Sequence, residues 1–199
     1  MADIRQLHAI DQPLLERLIT SYTSVEAYQV AKEETPDLVR FDLRLIHLDQ
    51  SFVKRYPLDE QMIARYIALA AAGHTFGAFV GDECVGIALC EPHAWNASLS
   101  VHEFHIAPGY QRMGIGRALM VMVETHARAL GMRRVTCETQ TTNASAIHFY
   151  RALGFTFDGV DISLYGNDDL TQGEVAVFMK KRIAQPPGDD DESILHLDQ

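Results

Sequence analysis

The segment Ile106-Ala107-Pro108-Gly109-Tyr110-Gln111-Arg112-Met113-Gly114-Ile115-Gly116-Arg117 sets two near-adjacent glycines where a strand-like stretch gives way to an amphipathic one. Lacking side chains, Gly114 and Gly116 let a bound group approach the backbone. The first N–H groups of a helix starting there have no intrahelical partner, and the positive end of its dipole favours phosphate oxygens. Arg112 and Arg117 add positive charge, so the chemistry in outline is pyrophosphate binding. Gly109 and Gly114 have the spacing of a P-loop, but Ile115-Gly116 stands in place of its Lys-Ser/Thr. A dinucleotide fingerprint needs Gly or Ala at position 119, where the chain has Leu119. A glycine-rich turn before an ordinary helix stays open as the alternative for this loop alone.

A second run, Asn143-Ala144-Ser145-Ala146-Ile147-His148-Phe149-Tyr150-Arg151-Ala152-Leu153-Gly154-Phe155, reads as a capped amphipathic helix. Asn143 is its N-cap, Ala146, Phe149, Tyr150 and Leu153 make one face, and Gly154 stops it. Taken alone, Tyr150 reads as a core tyrosine with a satisfied hydroxyl. Glu103 and Glu138 lie in strand-like stretches. Each suits either a proton-accepting role or a structural ion pair. His102 and His105 are three apart on a strand and so point to opposite faces; with no His-Glu-x-x-His, no metal site is expected.

Together the two motifs carry a resemblance. Gln-x-x-Gly-x-Gly after a strand, followed by Asn-x-x-Ala-x-x-Phe-Tyr-x-x-x-Gly-Phe, resembles the GNAT superfamily of N-acetyltransferases, over roughly residues 76–181. The resemblance implies an α/β fold, a mixed central sheet flanked by helices, and acetyl-CoA as cosubstrate. It implies that the backbone of Phe104, His105 and Ile106 bonds the pantetheine amides. Gln111, Arg112, Met113, Gly114, Ile115, Gly116 and Arg117 should cradle the pyrophosphate, and Asn143, Ala146 and Tyr150 should contact the coenzyme. Tyr150 matches the general acid that protonates the leaving thiolate. Glu138 matches a proton-accepting glutamate, with Glu103 as the second candidate.

Within that superfamily the phrases Phe76-Gly77-Ala78-Phe79, Trp95-Asn96, Glu138-Thr139-Gln140-Thr141-Thr142-Asn143, Gly159-Val160-Asp161 and Leu164-Tyr165 are similar to those of streptothricin (nourseothricin) acetyltransferases. That likeness implies acetylation of an amine on a small cationic molecule. His102-Glu103 departs from the acidic pair of those relatives, and Gln111-Arg112-Met113 lacks the frequent Arg-Gly. Acetylation of a protein N-terminus or lysine, and a coenzyme A-binding module without turnover, are the alternatives. A homodimer is a further expectation of the resemblance.

These residues need elements to position them. Asp11 and Pro13 predict a helix carrying Leu14, Leu15, Leu18 and Ile19, broken by Glu33-Glu34-Thr35-Pro36-Asp37. Val39, Phe41, Leu43 and Leu45 alternate as in a half-buried strand. Asp59 caps a helix from Glu60 to Ala72. Gly81-Asp82 joins strands Thr75–Val80 and Cys84–Cys90 in a hairpin. Leu99–Ala107 is a strand and Gly114–Leu130 a helix. Arg133–Thr139, Asn143–Leu153, Phe155–Asp161 and Glu174–Lys181 follow as strand, helix, strand and strand. Strands with interspersed helices and hairpins give a layered α/β domain.

The chain has 199 residues, 47% apolar, enough for one compact domain over residues 1–183. Residues 184–199 carry half of the −10 formal charge and read as a disordered acidic tail. A mildly acidic body disfavours nucleic acid and anionic membranes and suits a cationic substrate. No apolar run approaches the ~18 residues of a membrane span, and no basic-then-apolar leader begins the chain, so a cytoplasmic location is expected. Cys84, Cys90 and Cys137 lack metal or disulfide spacing and read as buried free thiols.

Overall fold

The computed structural model describes residues 2–184; the acidic tail predicted for residues 184–199 lies, apart from its first residue, outside them. The elements in order are β1 (Asp3–Leu7), α1 (Gln12–Leu18), β2 (Ser21–Thr35), β3 (Leu38–Arg55), α2 (Glu60–Ala71), β4 (Thr75–Val80) and β5 (Glu83–His93). Then come β6 (Ser98–Ile106), α3 (Ile115–Ala129), β7 (Arg134–Gln140), α4 (Ala144–Ala152), β8 (Thr156–Asp161), a short α5 (Asp169–Gln172) and β9 (Ala176–Arg182).

Seven strands form a sheet in the order β1-β4-β5-β6-β7-β9-β8. All neighbours are antiparallel except β6 and β7, which are parallel. One face carries α3 and α4, packed through Leu119, Val123, Ile147 and Tyr150 onto Val101, Val135 and Val177. The other carries α1 and α2, packed through Leu15, Leu18, Ile63 and Tyr66 onto Ile87 and Leu89. The expected mixed sheet flanked by helices is present.

The N-terminal region departs from expectation. The first helix does not run on towards Glu33 but ends at Leu18. Ser21–Thr35 is instead a long strand, rich in the Tyr, Thr and Val residues that favour extended backbone. It pairs with β3 as a separate two-stranded hairpin that turns at Pro36-Asp37. The alternation read at Val39, Phe41, Leu43 and Leu45 is real, yet most of that face is uncovered, Phe41 and Leu45 included. Leu43 packs on the core while Val39 stays 59% exposed. A register shift between Ser24 and Glu26 separates the outer arm from a base, Ser21–Ser24 against Phe52–Arg55, that lies against the body.

Two departures from regular pairing create the site. First, β6 and β7 pair only over Ser98–Val101 and Arg134–Cys137. Beyond Val101 they part, so one backbone edge of Glu103–Ile106 has no neighbouring strand, and edge N–H and C=O groups require partners. Second, the register of β6 on β5 shifts between Leu89↔Glu103 and Cys90↔Val101, leaving His102 as the extra residue of a bulge. Val101 faces α3 and α4, whereas Glu103 and His105 pair with Leu89 and Ile87 on the α1–α2 face.

Candidate active site

Pro108, Gly109 and Tyr110 form a 3-10 turn after β6, and Gly114 caps α3 in the left-handed region at φ 81° with no side-chain cap bond. Arg112 shares that region at φ 62°. The leading N–H groups of α3 are therefore free to point at an anion, between the exposed Arg112 and Arg117. Gln111 turns inward: its Nε2 donates to the Ile106 carbonyl at 3.0 Å and fixes the loop to the end of β6.

The two glycines do different work. Around Gly114 an added Cβ meets nothing within 4 Å, so its requirement is the backbone angle and open approach. Gly116 instead faces Phe149, with an added Cβ 3.1 Å from that ring and 3.6 Å from Phe104. Its smallness lets α3 close on α4, a packing reason that adds to the expected role of its backbone at the ligand.

Asn143 caps α4 through a 3.2 Å bond accepted from Ala146 N–H. That helix holds Tyr150, 6% exposed, among the rings of Phe104, Phe149 and Phe155 with its hydroxyl towards Cys137 at the parted strands. Burial, then the nearby Cys137 and Glu103, push the Tyr150 pKa well up. The hydroxyl stays protonated, the state an acid needs.

Both glutamates face the α1–α2 side. Glu103 accepts from the Tyr66 hydroxyl at 2.5 Å and lies 2.7 Å from His105 Nε2. Glu138, on β7, accepts a hydrogen bond from the Tyr165 hydroxyl. Burial above all, with Glu103 and Glu174, raises the Glu138 pKa, and the Tyr165 bond opposes the rise. Tyr150 and the two carboxylates thus lie on opposite faces of the sheet, on either side of the gap between β6 and β7.

Other groups here were not anticipated from sequence. The hairpin base contributes Tyr22, whose hydroxyl bonds Thr142 at 2.6 Å, and Tyr56, just beyond β3, bonds Gln140 at 2.9 Å. Burial raises the Tyr22 pKa to about 12. Glu174, after α5, completes a set of three carboxylates with Glu103 and Glu138. Among the residues around the carboxylates, Tyr165, Gln140 and Thr142 had a signal, in the Leu164-Tyr165 and Glu138–Asn143 phrases of the resemblance.

His102 and His105 also need correcting. The bulge brings both to the same side of β6, not to opposite faces, but they serve different carboxylates: His102 Nε2 lies 2.7 Å from Glu91 and His105 pairs with Glu103. Glu91, His93 and His102 cluster within 4.8 Å. The Arg65 guanidinium is bonded to Glu91 and stands 3.3 Å from His102, so a positive group of the protein already fills that position.

Residues 39–155 match the acetyltransferase (GNAT) family. The chain belongs to the GNAT acetyltransferase family. It is 33% identical over 180 residues to a streptothricin acetyltransferase of Streptomyces lavendulae, covering 89% of this chain and 93% of that protein. It is 28% identical over 127 residues to streptothricin acetyltransferase A of Bacillus subtilis (strain 168), 64% of this chain and 71% of that one. The crystal structure of a nourseothricin acetyltransferase superposes with a TM-score of 0.74 at 29% identity, over 92% of this chain and 99% of that chain. As a GNAT acetyltransferase the chain is an acyl-transferring enzyme that uses acetyl-CoA. The open left-handed Gly114, the uncapped α3 N-terminus and the unpaired β6 edge fit that cosubstrate. Among the described residues no helix is long and apolar enough to cross a membrane.

Proposed function

We propose that this GNAT acetyltransferase moves an acetyl group from acetyl-CoA to a primary amine of a small cationic molecule of the streptothricin kind. One observation carries the choice of acceptor: Glu103, Glu138 and Glu174 converge in a cleft walled by Tyr22, Tyr56 and Tyr165. Converging carboxylates attract an ammonium, and tyrosine faces hold one by cation–π attraction. Tyr165, bonded to Glu138, and Tyr22 of the hairpin base stand beside the carboxylates, which favours a small acceptor over a polypeptide.

In this reading the N–H groups of Gly114, Ile115, Gly116 and Arg117, with Arg112, hold the pyrophosphate. The free edge of Phe104–Ile106 takes the pantetheine amides. The acceptor arrives as an ammonium and gives a proton to Glu138, directly or through one water, with Glu103 as the alternative base. Its nitrogen attacks the thioester carbonyl, the C–N bond forms and the C–S bond breaks. Tyr150 gives its proton to the departing sulfur and is restored by the second proton, which the nitrogen sheds as it becomes an amide. Residues 1–183 form the catalytic unit, and acetyl-CoA dependence with three buried free cysteines suits a cytoplasmic enzyme.

The test is release of free CoA from acetyl-CoA against streptothricin, polyamines, free lysine and short basic peptides. Turnover selective for streptothricin is expected; turnover confined to peptides would move the chain to the protein-modifying enzymes.

A further inference from the structure

The three carboxylates of the acceptor cleft are not equally available. Glu103 is engaged by His105 and Tyr66. Glu138 meets only the neutral hydroxyl of Tyr165 among the hydrogen bonds of the described residues. Glu174 holds a primary ammonium already, because Lys54 Nζ lies 2.5 Å from its Oε1 and 6.0 Å from the centre of the Tyr165 ring. Lys54 sits opposite Tyr22 at the hairpin base, and 120 residues separate it from Glu174. A carboxylate beneath an ammonium with an aromatic ring beside it is the arrangement by which proteins bind alkylammonium ligands.

We propose that Lys54 is a built-in competitor that occupies a second cation subsite of the acceptor cleft, formed by Glu174 and the Tyr165 ring. The inference rests on the acceptor reading above. Its ligand class is an amine with two cationic groups. The reacting group goes to Glu138, and the other displaces Lys54 from Glu174. Tyr165 links the two positions, its hydroxyl on Glu138 and its ring next to Lys54, so they stand one tyrosine side chain apart. Displacement is feasible because the pair is partly solvated, at 33% and 22% side-chain exposure, and the lysine stem is flexible. The result is discrimination: a monoamine uses the Glu138 position alone, whereas a diamine must work against Lys54 to gain both.

Calorimetric titration of the CoA-saturated enzyme with 1,5-diaminopentane and with 1-aminopentane tests this without requiring turnover. Lys54→Met keeps the stem and removes the ammonium. It should tighten the diamine about fivefold, the scale of a partly exposed ion pair, and change the monoamine by about twofold or less. Lys54→Arg should leave the diamine weak, and Glu174→Gln should weaken it about fivefold. Circular dichroism and thermal melts establish that the variants are folded. Weaker diamine binding in Lys54→Met, equal tightening of both amines, or no measurable diamine binding in any variant would overturn the proposal. Acetyl transfer to streptothricin, followed in parallel, separates the two readings. Its absence in the unmodified enzyme counts against the acceptor reading, while the binding ratio judges the subsite.

Discussion

A Cβ added to Gly116 would lie 3.1 Å from Cε2 of Phe149, so the start of α3 and the helix that bears Tyr150 touch where a side chain fits only if the ring gives way. Gly116→Ala must push the ring of Phe149, which neighbours Tyr150. Overpacking of this kind costs about 1–3 kcal/mol. A lower melting temperature is expected, with partial recovery in the Gly116→Ala, Phe149→Leu double variant. Additive losses in the double variant would show that the two residues do not press on each other.

Gly114 fails differently when replaced. Space around it is open, but φ is 81°, where a β-branched residue is strained by roughly 1–2 kcal/mol. Gly114→Val should relax the loop and weaken acetyl-CoA binding about tenfold or more. Normal affinity by calorimetry would mean that the pyrophosphate binds elsewhere.

Tyr150→Phe keeps the ring among Phe104, Phe149 and Phe155 and deletes only the hydroxyl. Turnover should fall by about 10²–10⁴, the range for a general acid, while acetyl-CoA affinity barely changes. Steady-state kinetics beside equilibrium binding measure both, and unaltered turnover removes Tyr150 as the acid.

The pH profile reports on Glu138. A base must be deprotonated, so kcat/KM should rise with pH through the Glu138 pKa, which burial, Glu103 and Glu174 hold above the ordinary carboxylate value. The Tyr165 bond lowers that pKa. Tyr165→Phe should therefore move the acidic limb to higher pH and Glu174→Gln to lower pH. If Glu138→Gln retains full turnover and the same limb, Glu103 is the base.

A second titration concerns stability. His74 Nδ1 and His126 Nε2 are 3.0 Å apart. Burial lowers both pKa values below the ordinary 6.5; His74 lowers that of His126 further, while Glu91 partly opposes the fall at His74. The unfolded chain then binds protons that the folded one does not, so this contribution is complete at neutral pH and is lost as pH falls below about 6.5. His126→Gln should flatten the pH dependence of the melting temperature between about pH 5 and 7. An unchanged slope would assign it to other groups.

Legibility from sequence followed locality. Strands β4 to β7, helices α2 to α4 and the closing strands had hairpin turns, caps and glycine stops of their own, and were read to within a few residues. Strand β3 was read only at Val39–Leu45 and β2 not at all, because Leu14, Leu15, Leu18 and Ile19 have helical spacing and the charged stretch Ala31–Thr35 shows no apolar alternation. The donor side lies in two continuous motifs and was legible as such. The acceptor side draws Tyr22, Lys54, Tyr56, Tyr66, Tyr165 and Glu174 from separate stretches of chain, and only folding makes them neighbours. The packing role of Gly116 was hidden because its partner, Phe149, is 33 positions away.

A strand deals its side chains left and right in strict alternation, and His102 is the one card dealt twice. Removing that single residue would leave every other amino acid of β6 in place. It would also leave Val101 and Glu103 as consecutive residues opposite Cys90 and Leu89, on opposite faces as they are now. Flattening the bulge with His102 kept would instead send Val101 to the cleft side, or Glu103 and His105 into the apolar layer beneath α3 and α4. The chemical sidedness of this enzyme is therefore stored as a parity: whether the number of residues between Val101 and Glu103 that pair with β5 is odd or even.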